Sequence, residues 1–238
     1  MNIARMKCRK GFTLVELLVV IAIIVALAAL ATPQIFKALK RAALAEALNN
    51  VRQVKFALDD FALDFDGQYP NEDTAEAVSE NLGGGQTSNA FFRQLFMAGS
   101  TQSESIFWVK NSPVASKSAP DDKTTEGGKP QENLVLEPGD CHWAYVTEQT
   151  NTSNVSRPLL LDGYKRGTTD FDSELWDRKV VVLRIDSSAK PMRMRLSDDK
   201  VLDGDKKDIM TSEAAAWDNL TDGDPGQLLK QPEPRTGN

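Results

Sequence analysis

Three groupings in this 238-residue sequence carry residue types able to do chemistry. Glu16 is an acid set inside an apolar run. Cys141-His142 puts a thiol beside an imidazole. The stretch Asp198–Asp208 holds Asp198, Asp199, Asp203 and Asp205, whose oxygens are of the kind calcium takes on a flexible loop. The last two have plainer readings. Neighbouring residues on a strand point to opposite faces, so the thiol and imidazole cannot meet there and the pair reads as incidental. The acidic stretch lacks the spacing of an EF-hand loop, and Lys200, Lys206 and Lys207 dilute its charge, so a solvated acidic turn competes with a calcium site. Glu16 is harder to dismiss. An acid in hydrocarbon costs about 3 kcal/mol near the bilayer centre, and such residues are either close to an interface or partnered. A free α-amine would suit as partner.

The element that positions Glu16 is the apolar run itself. In residues 12–32 only Thr13, Glu16 and Thr32 fall outside the apolar set. A helix of about 20 residues spans a bilayer core. Arg5, Lys7, Arg9 and Lys10 precede it with no acid among them, which places the N-terminus in the cytoplasm and the body outside. A cleaved secretory signal, ending near Ala29-Leu30-Ala31, is the competing reading. The length of the run, its glutamate and the helical pattern continuing past Ala31 speak against it. Pro33 removes one helix hydrogen bond and should kink the helix. Beyond it Leu44, Leu48, Val51, Leu58, Phe61 and Phe65 recur on one face as far as Asp66, with Gly67 and Pro70 as the stop.

Lys10-Gly11-Phe12-Thr13-Leu14-Val15-Glu16 resembles the class III signal of type IV pilins and type II secretion pseudopilins. The resemblance implies cleavage between Gly11 and Phe12 by prepilin peptidase, N-methylation of Phe12, and a role in assembly for Glu16 against the amine of a neighbouring subunit. It also implies that partners are further copies, other pilin-like subunits, an inner-membrane assembly platform and membrane lipid. Loss of the four basic leader residues would take the net charge from −6 to −10 and remove Cys8, leaving Cys141 without an intramolecular partner, which favours a pseudopilin over a disulfide-closed pilin. The segment Ala57–Pro70, ending Asp66-Gly67-Gln68-Tyr69-Pro70, is similar to the helix end of the major pseudopilin, protein G of type II secretion, where an acid–x–Gly–x–Tyr–Pro turn leaves the helix. Tyr69 is expected to fold back onto the helix.

The expected organisation is a leader over 1–11, a transmembrane and filament-core helix over 12–33, an amphipathic helix over 34–66, and a periplasmic α+β head over 67–238. The fold class is the pilin fold: a long N-terminal helix packed on a C-terminal antiparallel sheet. In the head, Asp73–Val78 and a helix from Thr87 or Ser88 to Phe96 are expected, with Phe91, Phe92, Leu95 and Phe96 in the core. Strands are expected at Ile106–Val109, Leu134–Leu136, Trp143–Thr147, Leu159–Leu161, Val180–Ile185 and Met192–Leu196, the last two a hairpin turning through Asp186–Pro191. A helix is expected over 213–220. Residues 110–130 and 222–238 read as loose.

Several function classes are excluded. One histidine rules out a site needing two imidazoles, and the acidic balance argues against sequence-independent nucleic-acid binding. No P-loop, G-x-S-x-G or Rossmann fingerprint occurs, and Gly83-Gly84-Gly85 lacks the following Lys-Ser/Thr. The chain thus reads as a structural, non-enzymatic subunit without a cofactor, calcium aside. A signal-anchored extracytoplasmic binding protein or enzyme is the alternative.

Overall fold

The computed structural model describes residues 12–79, 82, 85–218 and 224–235. Helix α1 spans Leu14–Asp64 and runs through Pro33. The chain divides into two units, Met1–Ala42 and Ala43–Asn238. The described part of the first unit is helical from Leu14 onward and entirely exposed. Within this unit the large apolar side chains between Leu14 and Leu39 are roughly half or more exposed.

The second unit is an α+β head. It begins with the last turns of α1, where Ala47, Val51, Val54, Leu58, Phe61 and Ala62 are buried at helical spacing. The helix stops where the sequence requires it. Gly67 adopts φ 80°, a conformation that costs glycine little, and its N–H donates to the Ala62 carbonyl. Tyr69 then folds back as expected. It is 1% exposed, and its hydroxyl donates to Asp59 Oδ1 at 2.9 Å and accepts from Lys55 Nζ at 3.1 Å. Lys55 also pairs directly with Asp59. Helix α2, Glu72–Val78, opens on a capping box in which Asn71 and Thr74 satisfy each other's backbone N–H groups. Helix α3, Ser88–Met97, buries Phe91, Phe92, Leu95 and Phe96. The Ser88 hydroxyl donates to the Trp143 carbonyl, so it ties α3 to the sheet and caps nothing.

A two-residue-per-strand hairpin, β1 (Thr125–Glu126) and β2 (Lys129–Pro130), precedes the main sheet. The main sheet comprises β3 (Trp143–Val146), β4 (Pro158–Asp162), β5 (Lys179–Arg184), β6 (Ala189–Arg193) and β7 (Leu229–Lys230). Its order is β6-β5-β4-β3-β7, with every pair antiparallel. Both faces are covered. Trp143, Tyr145, Val181 and Leu183 join the cluster formed with α1 and α3. Ala144, Val146, Val180 and Val182 face a second cluster with Met194, Val201, Ile209, Met210 and Trp217. Two-sided burial explains why β4 and β5 read as continuous apolar runs and not as alternation.

The expected helices α1, α2 and α3 and strands β3, β4 and β5 form with shifts of a residue or two. Four expectations are corrected. Ile106–Val109 is no strand: Ser105–Phe107 is a 3-10 turn, capped from a distant segment by Asp122 Oδ1, which accepts from the N–H groups of Glu104 (2.6 Å) and Ser105 (3.3 Å). Leu134–Leu136 is no strand either. A 3-10 turn spans Glu132–Leu134, and the next carbonyls accept from Arg93 and Asn89 side chains, so side chains replace a ladder. The β5–β6 hairpin turns earlier than expected, through 185–188, because Leu183 pairs with Ala189. Pro191 therefore lies in β6, on the sheet edge, where a missing donor is tolerated. Met194 stays buried, whereas Leu196 is 85% exposed. The helix expected over 213–220 is a 3-10 turn, Ala215–Trp217, whose Trp217 is buried; residues 219 and 220 lie outside the described residues.

Two segments expected to be loose also carry structure. Residues 110–130 are mostly irregular but bury Val114, Ala115 and Thr124. The C-terminal stretch forms the short helix α4, Pro225–Leu228, before β7 joins the sheet beside β3.

Burial separates two phenylalanines on α1: Phe61 is fully buried and Phe56 is 71% exposed. Phe61→Ala should destabilise the chain by about 3–5 kcal/mol, and Phe56→Ala by less than about 0.5 kcal/mol. Urea denaturation of the detergent-solubilised protein, followed by tryptophan fluorescence, measures both.

Candidate functional site

The start of α1 is held by its own residues. Thr13 Oγ1 accepts from the Glu16 backbone N–H at 3.2 Å. In return Glu16 Oε2 accepts from the Thr13 N–H and the Thr13 hydroxyl, each at 2.8 Å. This reciprocal arrangement is a capping box, and it answers two orphan donors of the first turn. Glu16 therefore has a structural task within its own chain, which its sequence position alone did not reveal. Only Oε2 is used; Oε1 has no hydrogen bond among the described residues. Phe12, beside the box, is 77% exposed. Gly11 and the rest of 1–11 lie outside the described residues. Downstream, Thr32 Oγ1 donates back to the Ala28 carbonyl at 2.8 Å, so this hydroxyl within the apolar run is satisfied by the helix itself. The segment is long and apolar enough to cross a membrane.

Residues 6–32 match the family model of the prokaryotic N-terminal methylation motif. The matched motif supports a likeness of the N-terminus to type IV pilins and pseudopilins. The motif supports a pilin-like subunit processed by prepilin peptidase and fits assembly with other pilin subunits. A pilin-type N-terminus and an exposed apolar helix fit a membrane-anchored protein. Neither the curated proteins nor the solved structures give a match to the chain.

The other sequence candidates are dispersed. Cys141 and His142 do not meet. Cys141 is buried between the Ser88 hydroxyl and the Trp143 carbonyl, and burial pushes its thiol up to about 12, which keeps it protonated and unreactive. His142 enters a different network. Ser112 Oγ accepts from the N–H groups of Val114 (3.2 Å) and Ala115 (3.0 Å), which leaves its proton for His142 Nδ1 at 2.7 Å. His142 Nε2–H then donates to Asp162 Oδ1 at 2.8 Å. Asp162 Oδ2 takes the Trp176 indole N–H (3.1 Å) and the Val181 backbone N–H (2.8 Å). Every polar atom of the buried imidazole and carboxylate is thus satisfied. The serine oxygen is already saturated by its own turn, which suits a structural tie and not a nucleophile.

Of the four candidate aspartates Asp198, Asp199, Asp203 and Asp205, the first three are occupied elsewhere. Asp198 pairs with Arg195, Asp199 with Arg178, and Asp203 accepts from the N–H groups of Asp205 and Lys207, both at 2.9 Å. Among the described residues no three Asp, Glu, His or Cys side chains come together as a metal-holding group. Among the described residues the calcium expectation finds no converging ligand set, and basic side chains or backbone donors hold three of the four carboxylates.

Sequence reasoning missed a carboxyl cluster elsewhere. Glu104 is 1% exposed, and its Oε1 accepts from the Leu136 N–H at 2.6 Å. It lines a cavity of about 230 Å³ together with Asp121, Lys123, Glu137 and Asp140. Burial, reinforced by the charges of Asp140, Asp122 and Asp121, pushes Glu104 up to about 7. Burial, with Glu137 and Asp121, pushes Asp140 up to about 6. No motif could have flagged this, because three separate stretches supply the carboxyls.

Both acids hold their protons more tightly when folded, so their stabilising contribution is complete at low pH. It is lost as pH rises through about 6 for Asp140 and about 7 for Glu104. The melting temperature of the purified chain should fall between pH 5 and pH 8. Glu104→Gln keeps an oxygen for the Leu136 N–H and has no proton to lose, so it should flatten that fall. An unchanged slope in the variant would contradict the assignment.

Proposed function

We propose that the chain is a structural subunit inserted in the bacterial inner membrane as a prepilin, with the N-terminus cytoplasmic and the head periplasmic. Prepilin peptidase cuts it between Gly11 and Phe12, Phe12 is N-methylated, and copies polymerise, with other pilin-like subunits and an assembly platform, into a type II secretion pseudopilus or a type IV pilus-like filament. The observation that carries this reading is the methylation motif over 6–32 ending in an apolar helix that nothing in its own unit covers. The capping box supports a specific role for Glu16. One carboxylate oxygen holds its own helix start, and the other remains for the amine of a neighbouring Phe12. Pro33, inside α1, is the proposed point of bending between the span and the remainder of the helix. The Asp66-Gly67-Gln68-Tyr69-Pro70 helix end, with Tyr69 locked on Lys55 and Asp59, favours a pseudopilin related to protein G.

Mass spectrometry of the mature protein tests the processing. The expected N-terminus is N-methyl-Phe12; an intact Met1 or a start at Thr32 would reject the reading. Glu16 is tested separately. Glutamine fits the capping box as well as glutamate does, so Glu16→Gln should leave insertion and cleavage normal while reducing filaments about as severely as Glu16→Ala. If Glu16→Gln alone assembled normally, capping would be the residue's whole role and the amine pairing would fail.

A further inference from the structure

The half of α1 that belongs to the head has two faces. One is buried against the head core. The other is a stripe at helical spacing, Gln53, Phe56, Asp60, Leu63 and Asp64, all exposed. Phe56 and Leu63 are 71% and 80% exposed, large apolar side chains that the head leaves in solvent. Beside them runs an open groove of about 500 Å³, walled by Gln53, Phe56 and Asp60 on the helix and by Ser100, Thr101 and Ser103 on the loop after α3. Asp60 and Asp64 make no ion pair among the described residues, in contrast to Asp59, which is taken by Lys55. The stripe is therefore apolar, acidic and unpartnered.

The chain also carries the complement. In the other unit, Phe36 is 63% exposed, and Lys37 and Arg41 lie on the adjoining helix face, exposed and without an ion pair among the described residues. Lys37 and Arg41 are four residues apart, as are Asp60 and Asp64. Two parallel helices brought side by side therefore form both pairs, Lys37 with Asp60 and Arg41 with Asp64, in one register. A parallel arrangement is what a filament of identically oriented copies provides.

We infer that the exposed stripe Phe56–Asp60–Leu63–Asp64 is a docking surface for the Phe36–Arg41 segment of a second copy of this chain. This deepens the filament reading and rests on it. Apolar contact with Phe56 and Leu63 supplies cohesion, and the two charge pairs choose the register, because a slip of one residue turns them away from each other.

The test uses filaments assembled from the full chain. Variants carrying Lys37→Cys with Asp60→Cys, or Arg41→Cys with Asp64→Cys, should give ladders of covalently linked multimers on mild oxidation. Lys37→Cys with Asn49→Cys, also exposed, should not. Cys141 is buried and stays silent. Separately, Asp60→Lys with Asp64→Lys should lower filament yield about tenfold or more, and adding Lys37→Asp with Arg41→Asp should restore most of it. Fibres that form from mature subunits starting at N-methyl-Phe12 but show neither ladder nor rescue would overturn the docking while leaving the filament reading intact. A wild-type chain that is never processed and forms no fibre would overturn both.

Discussion

The constraint on which everything else depends is a stretch of helix whose side chains have nothing of their own to bury against. From Leu14 to Leu39 the leucines, isoleucines and valines of α1 are about half exposed or more. Each such side chain left in water forgoes roughly 1.5–3 kcal/mol. No arrangement of charged residues elsewhere offsets a deficit of that kind. The segment must live in lipid, against other helices, or in each by turns. The methylation motif and the satisfied Thr13, Glu16 and Thr32 are consistent with all three. Each polar atom that is used finds its partner within the same two turns of helix, as a bilayer requires.

The head obeys the opposite rule. Its sheet is covered on both faces, so β3, β4 and β5 are nearly continuous in apolar residues and the core continues into two clusters. The last turns of α1 belong to this core. Their exit is fixed by two devices, Gly67 with positive φ and the Tyr69 hydroxyl between Lys55 and Asp59. A lysine only 3% exposed needs such a pair, because a lone ammonium there would be strongly destabilised. The price of that network is conformational freedom at the helix end, and the result is that the exposed stripe of α1 is held rigidly on the head surface.

What was legible in the sequence follows from how local its causes are. The long helix, its membrane half, the Gly67–Pro70 stop and strands β3 to β5 are set by periodicity, composition and turn residues within a few positions. The failures are non-local. Ile106-Phe107 is as apolar as a strand but is bent into a 3-10 turn by Asp122, some fifteen residues away. Val135-Leu136 is buried without a ladder because Arg93 and Asn89 reach its carbonyls. The C-terminal stretch is proline-rich, yet Leu229-Lys230 finds the open edge of β3. Of the candidate site, Phe12 and Glu16 were marked by the motif. The capping task of Glu16 follows from the T-x-x-E spacing and could have been read there. The Ser112–His142–Asp162 tie could not, since its members come from three separate segments.

Moving such a helix from lipid into a bundle of like helices changes the hydrophobic term very little, because hydrocarbon tails are as apolar as leucine. Cohesion of the span then comes from close packing, which is tolerant of sliding, and from polar groups, which are not. Only a few polar groups lie along the exposed helix: Thr13 and Glu16 at its start, Thr32 spent on its own backbone, and Gln34, Lys37, Lys40 and Arg41 beyond Pro33. In the filament proposed above, register would then fall to Glu16 at one end and to charges beyond Pro33 at the other. Two widely separated polar anchors on an otherwise slippery rod define a single axial position, where either one alone would leave the far end free to wander. On this argument the glutamate within the apolar run and the unpaired aspartates on the head solve the same problem, each in the solvent where its charge is effective.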